Sequence, residues 1–146
     1  MSSLISQELR QFVAQRAYRV CEYCLIHEDD TFHGCQVDHI ISIKHGGPTS
    51  AANLAHACAV CNRAKGSDIA SLDPETGELC RLFNPRSDRW LDHFQLIGSE
   101  IEALTAIGRV TARVLAFNSA ERILERVALI EVGRYPTPQA GRILRR

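Results

Sequence analysis

The sequence has no long apolar run, no internal repeat and no low-complexity tract, and its 17 basic and 17 acidic residues leave no net charge. Each absence excludes something. A bilayer-spanning helix needs about 20 predominantly apolar residues, and the longest apolar stretches, such as residues 127–130, fall far short. Residues 1–8 have neither the basic start nor the apolar core of a secretory leader, so the expectation is an intracellular, cytoplasmic protein. Hydrophobic residues at 45% and charged residues at 23% are ordinary for a globular chain, which excludes general disorder. A length of 146 residues suits one compact domain with a helical extension.

Charge is absent in sum but not in distribution. From Arg109 onward there are eight arginines against three glutamates, a local +5 that the preceding residues cancel. Such a segment suits a polyanion such as nucleic acid, and a solvated face on an amphipathic helix explains it equally well.

What the chain does have is cysteine in matched pairs, Cys21-x-x-Cys24 and Cys58-x-x-Cys61. A reducing compartment favours metal ligation over disulfides. Each Cys-x-x-Cys turn points two thiolates at one place, and two turns complete the closed tetrahedral set that zinc prefers, with no position left for catalysis. The 33 residues between Cys24 and Cys58 give room for a strand, a turn and a return. The competing reading of the pairs is a redox dithiol. Cys35 and Cys80 are left over and are expected to be buried small side chains.

Inside the clamp lie Asp38 and His39, and the second pair runs into Asn62. Phosphodiester hydrolysis needs a base for its water and a cation for the charge on phosphorus. An imidazole such as His39 suits the base. The carboxylate of Asp38 and the amide oxygen of Asn62 suit a hard divalent ion such as Mg²⁺. Adjacent strand residues point to opposite faces, so both side chains reach one phosphate only at a bulge or a strand end. Lys65, one turn after Cys61, and Arg63 are candidate contacts to a nucleic-acid backbone.

Local patterning predicts a helix over residues 6–19, capped by Ser6 and burying Leu9, Phe12, Val13 and Ala17. A strand is expected over 35–43, a return over 49–57 and a short helix over 61–71. Residues 73–77 form a turn cluster taken as a boundary. Beyond it, 79–83, 90–97 and 100–104 are expected to form a three-stranded meander, followed by helices over 106–117 and 119–132. Asn118 and Glu121 would form a capping box. The tail after Arg134 is expected to fray.

Taken in order, Cys21-x-x-Cys24, Val37-Asp38-His39-Ile40-Ile41, Gly46-Gly47, Asn53-Leu54 and Cys58-x-x-Cys61-Asn62-x-x-Lys65-Gly66 resemble the HNH endonuclease family in its zinc-stapled ββα-metal form. The resemblance implies that His39 is the general base, that Asp38 and Asn62 hold a catalytic divalent metal, and that Asn53 steadies the loop and orients His39. Asn62 stands where the family often has histidine, and Ser42 follows the Asp38-His39-Ile40-Ile41 run where a proline is common. The segment Leu82-Phe83-Asn84-Pro85-Arg86, with Trp90, His93 and Phe94, resembles an extension on some bacterial HNH proteins. It offers no catalytic role, although Arg86 and Arg89 are candidates for phosphate contacts.

The expectation is therefore an α+β protein. Residues 1–72 would form a helix and a zinc-clamped ββα core, and 73–146 a small antiparallel sheet and two helices packed on it. The expected activity is metal-dependent hydrolysis of DNA phosphodiester bonds, with structural Zn²⁺ and catalytic Mg²⁺ or another divalent ion. Cutting of both strands would favour a dimer. The alternative is a catalytically silent zinc module that binds nucleic acid or protein.

Overall fold

A computed structural model describes residues 4–146; residues 1–3, part of the stretch read above as lacking a leader, lie outside it. Helix α1 spans Gln7–Arg16, and the Ser6 hydroxyl accepts from the Leu9 N–H at 3.1 Å, which satisfies an otherwise unpaired first-turn donor. Val13 and Ala17 on its inner stripe are fully buried, whereas Phe12 is exposed beneath the Arg16 guanidinium.

The chain then turns through Tyr18 and Arg19, both at positive φ, into the first cysteine pair. Strand β1 (Cys35–His39) pairs antiparallel with β2 (Leu54–Cys58), with Asp38 opposite Ala55 and His39 opposite Leu54. The strand stops at His39, short of the expected 43. The Asn53 side chain captures Ile41, and Ile43–His45 winds into a 3₁₀ turn. Helix α2 (Ala59–Lys65) opens with the Cys58 sulfur as its cap and closes at Gly66, so the expected helix over 61–71 is shifted and shortened.

Residues 70–72 are instead strand β3 (Ala70–Leu72), paired with β4 (Leu79–Arg81). The 73–77 cluster is the hairpin turn between them, closed by Asp73 N–H to the Glu78 carbonyl and Gly77 N–H to the Asp73 carbonyl, each 2.8 Å. This pairing overturns the three-stranded meander. Trp90–His93 is a helical turn, α3, that drops the indole N–H onto the Tyr23 carbonyl at 2.9 Å. Strands β5 (Phe94–Ile97) and β6 (Glu100–Ala103) form a separate hairpin. Among the described residues the architecture is α+β with three two-stranded antiparallel sheets.

Helices α4 (Ala106–Val114), α5 (Ala120–Glu131) and α6 (Pro138–Leu144) complete the chain. Asn118 does not form the expected capping box. Its amide clasps both the N–H and the carbonyl of Ile101, and Ser119 takes the cap position of α5. The tail is ordered rather than frayed, because Thr137 caps α6, Ala140 and Ile143 are buried, and the Tyr135 hydroxyl donates to the Cys24 carbonyl at 2.7 Å. The core runs without a break from Val20, Tyr23 and Leu25 to Phe83, Trp90, Phe94, Phe117 and Tyr135. Phe94 sits at its centre, 5.0 Å from the Trp90 ring and 5.5 Å from those of Phe83 and Phe117. Among the described residues, no helix is long and apolar enough to cross a membrane.

Candidate metal centre and catalytic cleft

The two Cys-x-x-Cys turns converge. The sulfurs of Cys21, Cys24, Cys58 and Cys61 all lie within 4.8 Å of one another and are buried. Backbone N–H groups of Cys24 and Cys61 point at the sulfurs of Cys21 and Cys58, each 3.4 Å away, an arrangement that stabilises thiolates. A tetrahedron with metal–sulfur bonds of about 2.3 Å has edges of about 3.8 Å, and Cys24 and Cys58 are 3.7 Å apart. The donors therefore fit a zinc-type ion. Hydrogen bonds from Cys21, Cys58 and Cys61 hold Cys24 well below the ordinary thiol value, while burial raises Cys21 and Cys61. Cys35 and Cys80 stay outside the cluster and are half-buried, not buried, because each sits on a two-stranded sheet with one open side.

A side chain that sequence reasoning missed closes the cluster. Arg122 on α5 is buried, with Nη2 3.1 Å from the Cys61 sulfur and 3.9 Å from that of Cys58. Its Nη1 donates to the Leu115 carbonyl. Burial alone would lower its pKa, but Cys24 and Cys61 outweigh that and raise it. A metal on four thiolates carries net negative charge, which this guanidinium offsets. Nothing local to Arg122 in sequence marks it, since its cysteine partners lie more than 60 positions away.

The second constellation opens onto a shallow cleft of about 380 Å³ lined by Asp38, His39, Ser42, Asn62 and Ser67 among others. His39 is the last residue of β1, and it lines the same cleft as Asp38. Its Nε2 lies 2.9 Å from the Thr49 hydroxyl. Asn53 accepts from the Ile41 N–H and donates to the carbonyls of Ile41 and Pro48, which fixes the loop between the strands. Gly47 is required there, since a Cβ would collide with the Ile41 carbonyl and lie 2.8 Å from the Asn53 amide nitrogen. Asn62 donates through Nδ2 to Gln36 at 2.6 Å, leaving its amide oxygen without a protein partner.

Asp38 is buried, with one oxygen accepting from the Tyr23 hydroxyl at 2.8 Å and the Lys65 ammonium 3.2 Å from both. Burial raises its pKa although Lys65 and Tyr23 act the other way. Lys65 is thus not an exposed backbone contact. Its stem is covered by the hairpin, and its Nζ also donates to the His39 carbonyl at 3.0 Å. Arg63 is exposed on α2. His56 is buried against Glu28, and His93 bonds the Thr105 hydroxyl, so neither joins the cleft. A larger cavity of about 560 Å³, between α1 and β1, contains none of the expected catalytic side chains.

The basic C-terminal segment is largely consumed internally. Arg109 pairs with Asp73, Arg134 with Asp30 and Arg146 with Glu22, while Arg126 binds the carbonyls of Ser99 and Phe117. Its charge therefore does not by itself describe a polyanion surface.

A ββα unit with two cysteine turns forming a buried cluster that could hold a metal ion carries an acid and an imidazole at its strand end. Residues 21–68, about a third of the chain, match the HNH endonuclease family model. That match points to nuclease-type hydrolysis of nucleic acid in general. No curated protein and no solved structure matches the chain.

Proposed function

We propose that the protein is an endonuclease that hydrolyses DNA phosphodiester bonds at the Asp38–His39 cleft, in the cytoplasm. The observation that supports it most is His39 at the end of β1, on a loop clasped by Asn53, in the same cleft as Asp38 and Asn62. The tautomer whose Nε2–H donates to Thr49 leaves the Nδ1 lone pair to take a proton from water. Thr49 thereby fixes the ring, and Asn53 ties together Ile41 and Pro48, the two ends of the loop between His39 and Thr49. Cutting of both strands would favour a dimer.

The Asn62 amide oxygen has no protein partner, whereas the Asp38 carboxylate is buried and already accepts from Tyr23 and Lys65. Mg²⁺ or a similar ion takes few protein ligands and leaves its other positions to water and phosphate. Asp38 and Asn62 would hold it, and it would supply the positive charge that the pentacovalent phosphorus and leaving oxygen require. Tyr23 and Lys65 keep the buried Asp38 carboxylate oriented. Structural Zn²⁺ sits on the four cysteines in this reading.

The test is nicking of supercoiled plasmid by wild type and His39→Ala across Mg²⁺, Mn²⁺ and Zn²⁺. Loss of a general base costs about 10²- to 10⁴-fold in rate, so the variant should fold, keep its zinc and fail to nick. Equal nicking by both proteins would remove His39 from the mechanism. A wild type that binds DNA but never cuts would favour the silent zinc module.

A further inference from the structure

Three arginines from distant parts of the chain meet at one pocket. Arg16 closes α1, Arg86 sits in the turn over 84–88, and Arg146 follows α6; with Tyr18 and Pro85 they line a cavity of about 380 Å³. It shares no lining residue with the Asp38–His39 cleft. The acidic partner of this group is Glu22, whose buried carboxylate accepts from Arg86 and from Arg146 Nη1 at 2.7 Å on one oxygen. The other oxygen accepts from the His56 N–H at 2.9 Å. Arg16 contacts no acid, because its terminal nitrogens donate to the carbonyls of Ala51 and Leu54. Three guanidinium groups therefore face one carboxylate.

The imbalance leaves donors unmet. Nε of Arg16 and both Nε and Nη1 of Arg86 are buried with no hydrogen-bond partner, although only 13% of the Arg86 side chain is exposed. Buried donors are nearly always paired, so three orphans at one point indicate an acceptor supplied from outside. Burial, and after it the neighbouring charges of Arg16 and Arg146, lowers the Arg86 pKa. Arg142 adds a further positive charge at the rim, stacked 5.4 Å over the Tyr18 ring. Arg16 and Arg146 spend both terminal nitrogens on protein acceptors. The free donors are therefore Nε and Nη1 of Arg86 and Nε of Arg16, a set that suits the several oxygens of a phosphate better than the two of another carboxylate.

We propose that Arg16, Arg86 and Arg146 form a second, non-catalytic binding site for a phosphate group. Its source is either the backbone of a nucleic-acid strand, in which case the site extends the nuclease reading and rests on it, or a free phosphate ester. Through Arg16 the site is tied to Ala51 and Leu54, which flank Asn53. An occupant is thus one side chain away from the residue that clasps the loop beside His39.

The probe is inorganic phosphate, titrated into the zinc-loaded full chain while the arginine Nε–H resonances are followed by NMR. A saturable shift of Arg86 Nε–H is expected. Arg86→Gln should weaken binding at least tenfold, and Arg86→Lys should recover part of it by restoring charge without the fork. Absence of saturation, or equal affinity in Arg86→Gln, would overturn the site. If Arg86→Gln does not fold, Arg146→Gln, at a side chain 30% exposed, carries the test and should weaken phosphate several-fold. In a His39→Ala background, binding of a DNA duplex distinguishes the sources. Loss of about one unit of salt slope in Arg86→Gln assigns the pocket to strand phosphate. Lost phosphate binding with unchanged DNA binding assigns it to a free ester. Neither result depends on whether the wild type cuts, so failure of the nuclease reading would be seen separately.

Discussion

The cysteine cluster and the Asp38–His39 cleft are built on the same hairpin and helix, yet they are enclosed in opposite ways. All four cysteines are buried, and Arg122, Tyr135 and Trp90 come from far down the chain to cover their turns. The cleft is assembled from residues within one continuous segment, and His39 and Asn62 stay partly exposed. A site that bears the fold gains from leaving no coordination position open, whereas a site that reacts must leave one. Tyr23 joins the two, since it lies between Cys21 and Cys24 and donates its hydroxyl to Asp38. The clamp therefore sets the position of the carboxylate.

Breaking the clamp should have the largest effect. Structural zinc contributes about 10–16 kcal/mol in small domains, comparable with the whole stability of a domain this size. Cys61→Ser should abolish the cooperative thermal transition and zinc retention together; a folded, zinc-free Cys61→Ser protein would show that the cluster is dispensable. Removing its cover comes next. Arg122→Met leaves the thiolates without their buried cation, a change worth about 3–5 kcal/mol. Calorimetry should show a lowered Tm and a colorimetric chelator faster zinc release, with cleavage per zinc-loaded molecule unchanged within about twofold. Unaltered zinc release would separate Arg122 from the metal.

The cleft should respond in the reverse pattern. Asn53→Ala removes three hydrogen bonds to the loop, about 1 kcal/mol each. Zinc content should hold while cleavage falls about 10²-fold, since a base displaced by about 1 Å can lose that much. Cleavage at the wild-type rate would mean that the loop does not need its clasp.

The smallest effect lies outside both sites. Asp73 is held well below the usual carboxyl range, first by its paired hydrogen bonds from Arg109 and then by the Glu75 N–H. A depressed folded-state pKa contributes stability above the unfolded value of about 4 and loses it as pH falls below that. Asp73→Asn should flatten the acid limb of a Tm–pH profile below about pH 4 and leave cleavage unchanged. An unchanged acid limb would assign that loss to other carboxylates.

The parts legible in the sequence were those with strong local signals. Paired cysteines specified a clamp whatever surrounded it, and Ser6 with the apolar spacing specified α1, whereas the β-branched run placed a strand correctly but overran its end, since Ile40, Ile41 and Ile43 lie beyond β1. Helices α4 and α5 were legible too, but the strands after residue 66 were harder because their signals are short. Three-residue strands carry almost no periodicity, so the pairing of β3 with β4 was decided by the Asp73 turn, and the three-stranded meander does not form. Trp90 carries a strand-like side chain but is helical, because its indole must reach the Tyr23 carbonyl. Within the site, the acid, imidazole and asparagines were visible as a motif. Their partners Tyr23, Thr49 and Gln36 were not, nor was Arg122 on the cysteines, since an ordinary tyrosine or arginine becomes informative only when folding brings it to a carboxylate or a thiolate. Lys65 was legible as a cation but not as a buried one, because its position on the inner face of α2 depends on where that helix begins.

The division of labour between the two sites is tested most directly by graded chelation, with plasmid cleavage and near-ultraviolet circular dichroism followed on the same samples. Mild EDTA should stop cleavage while the dichroism stays native, Mg²⁺ or Mn²⁺ should restore it, and only stronger chelation should unfold the chain. Loss of cleavage and fold at one chelator level, without rescue by either ion, would contradict two separate metal sites.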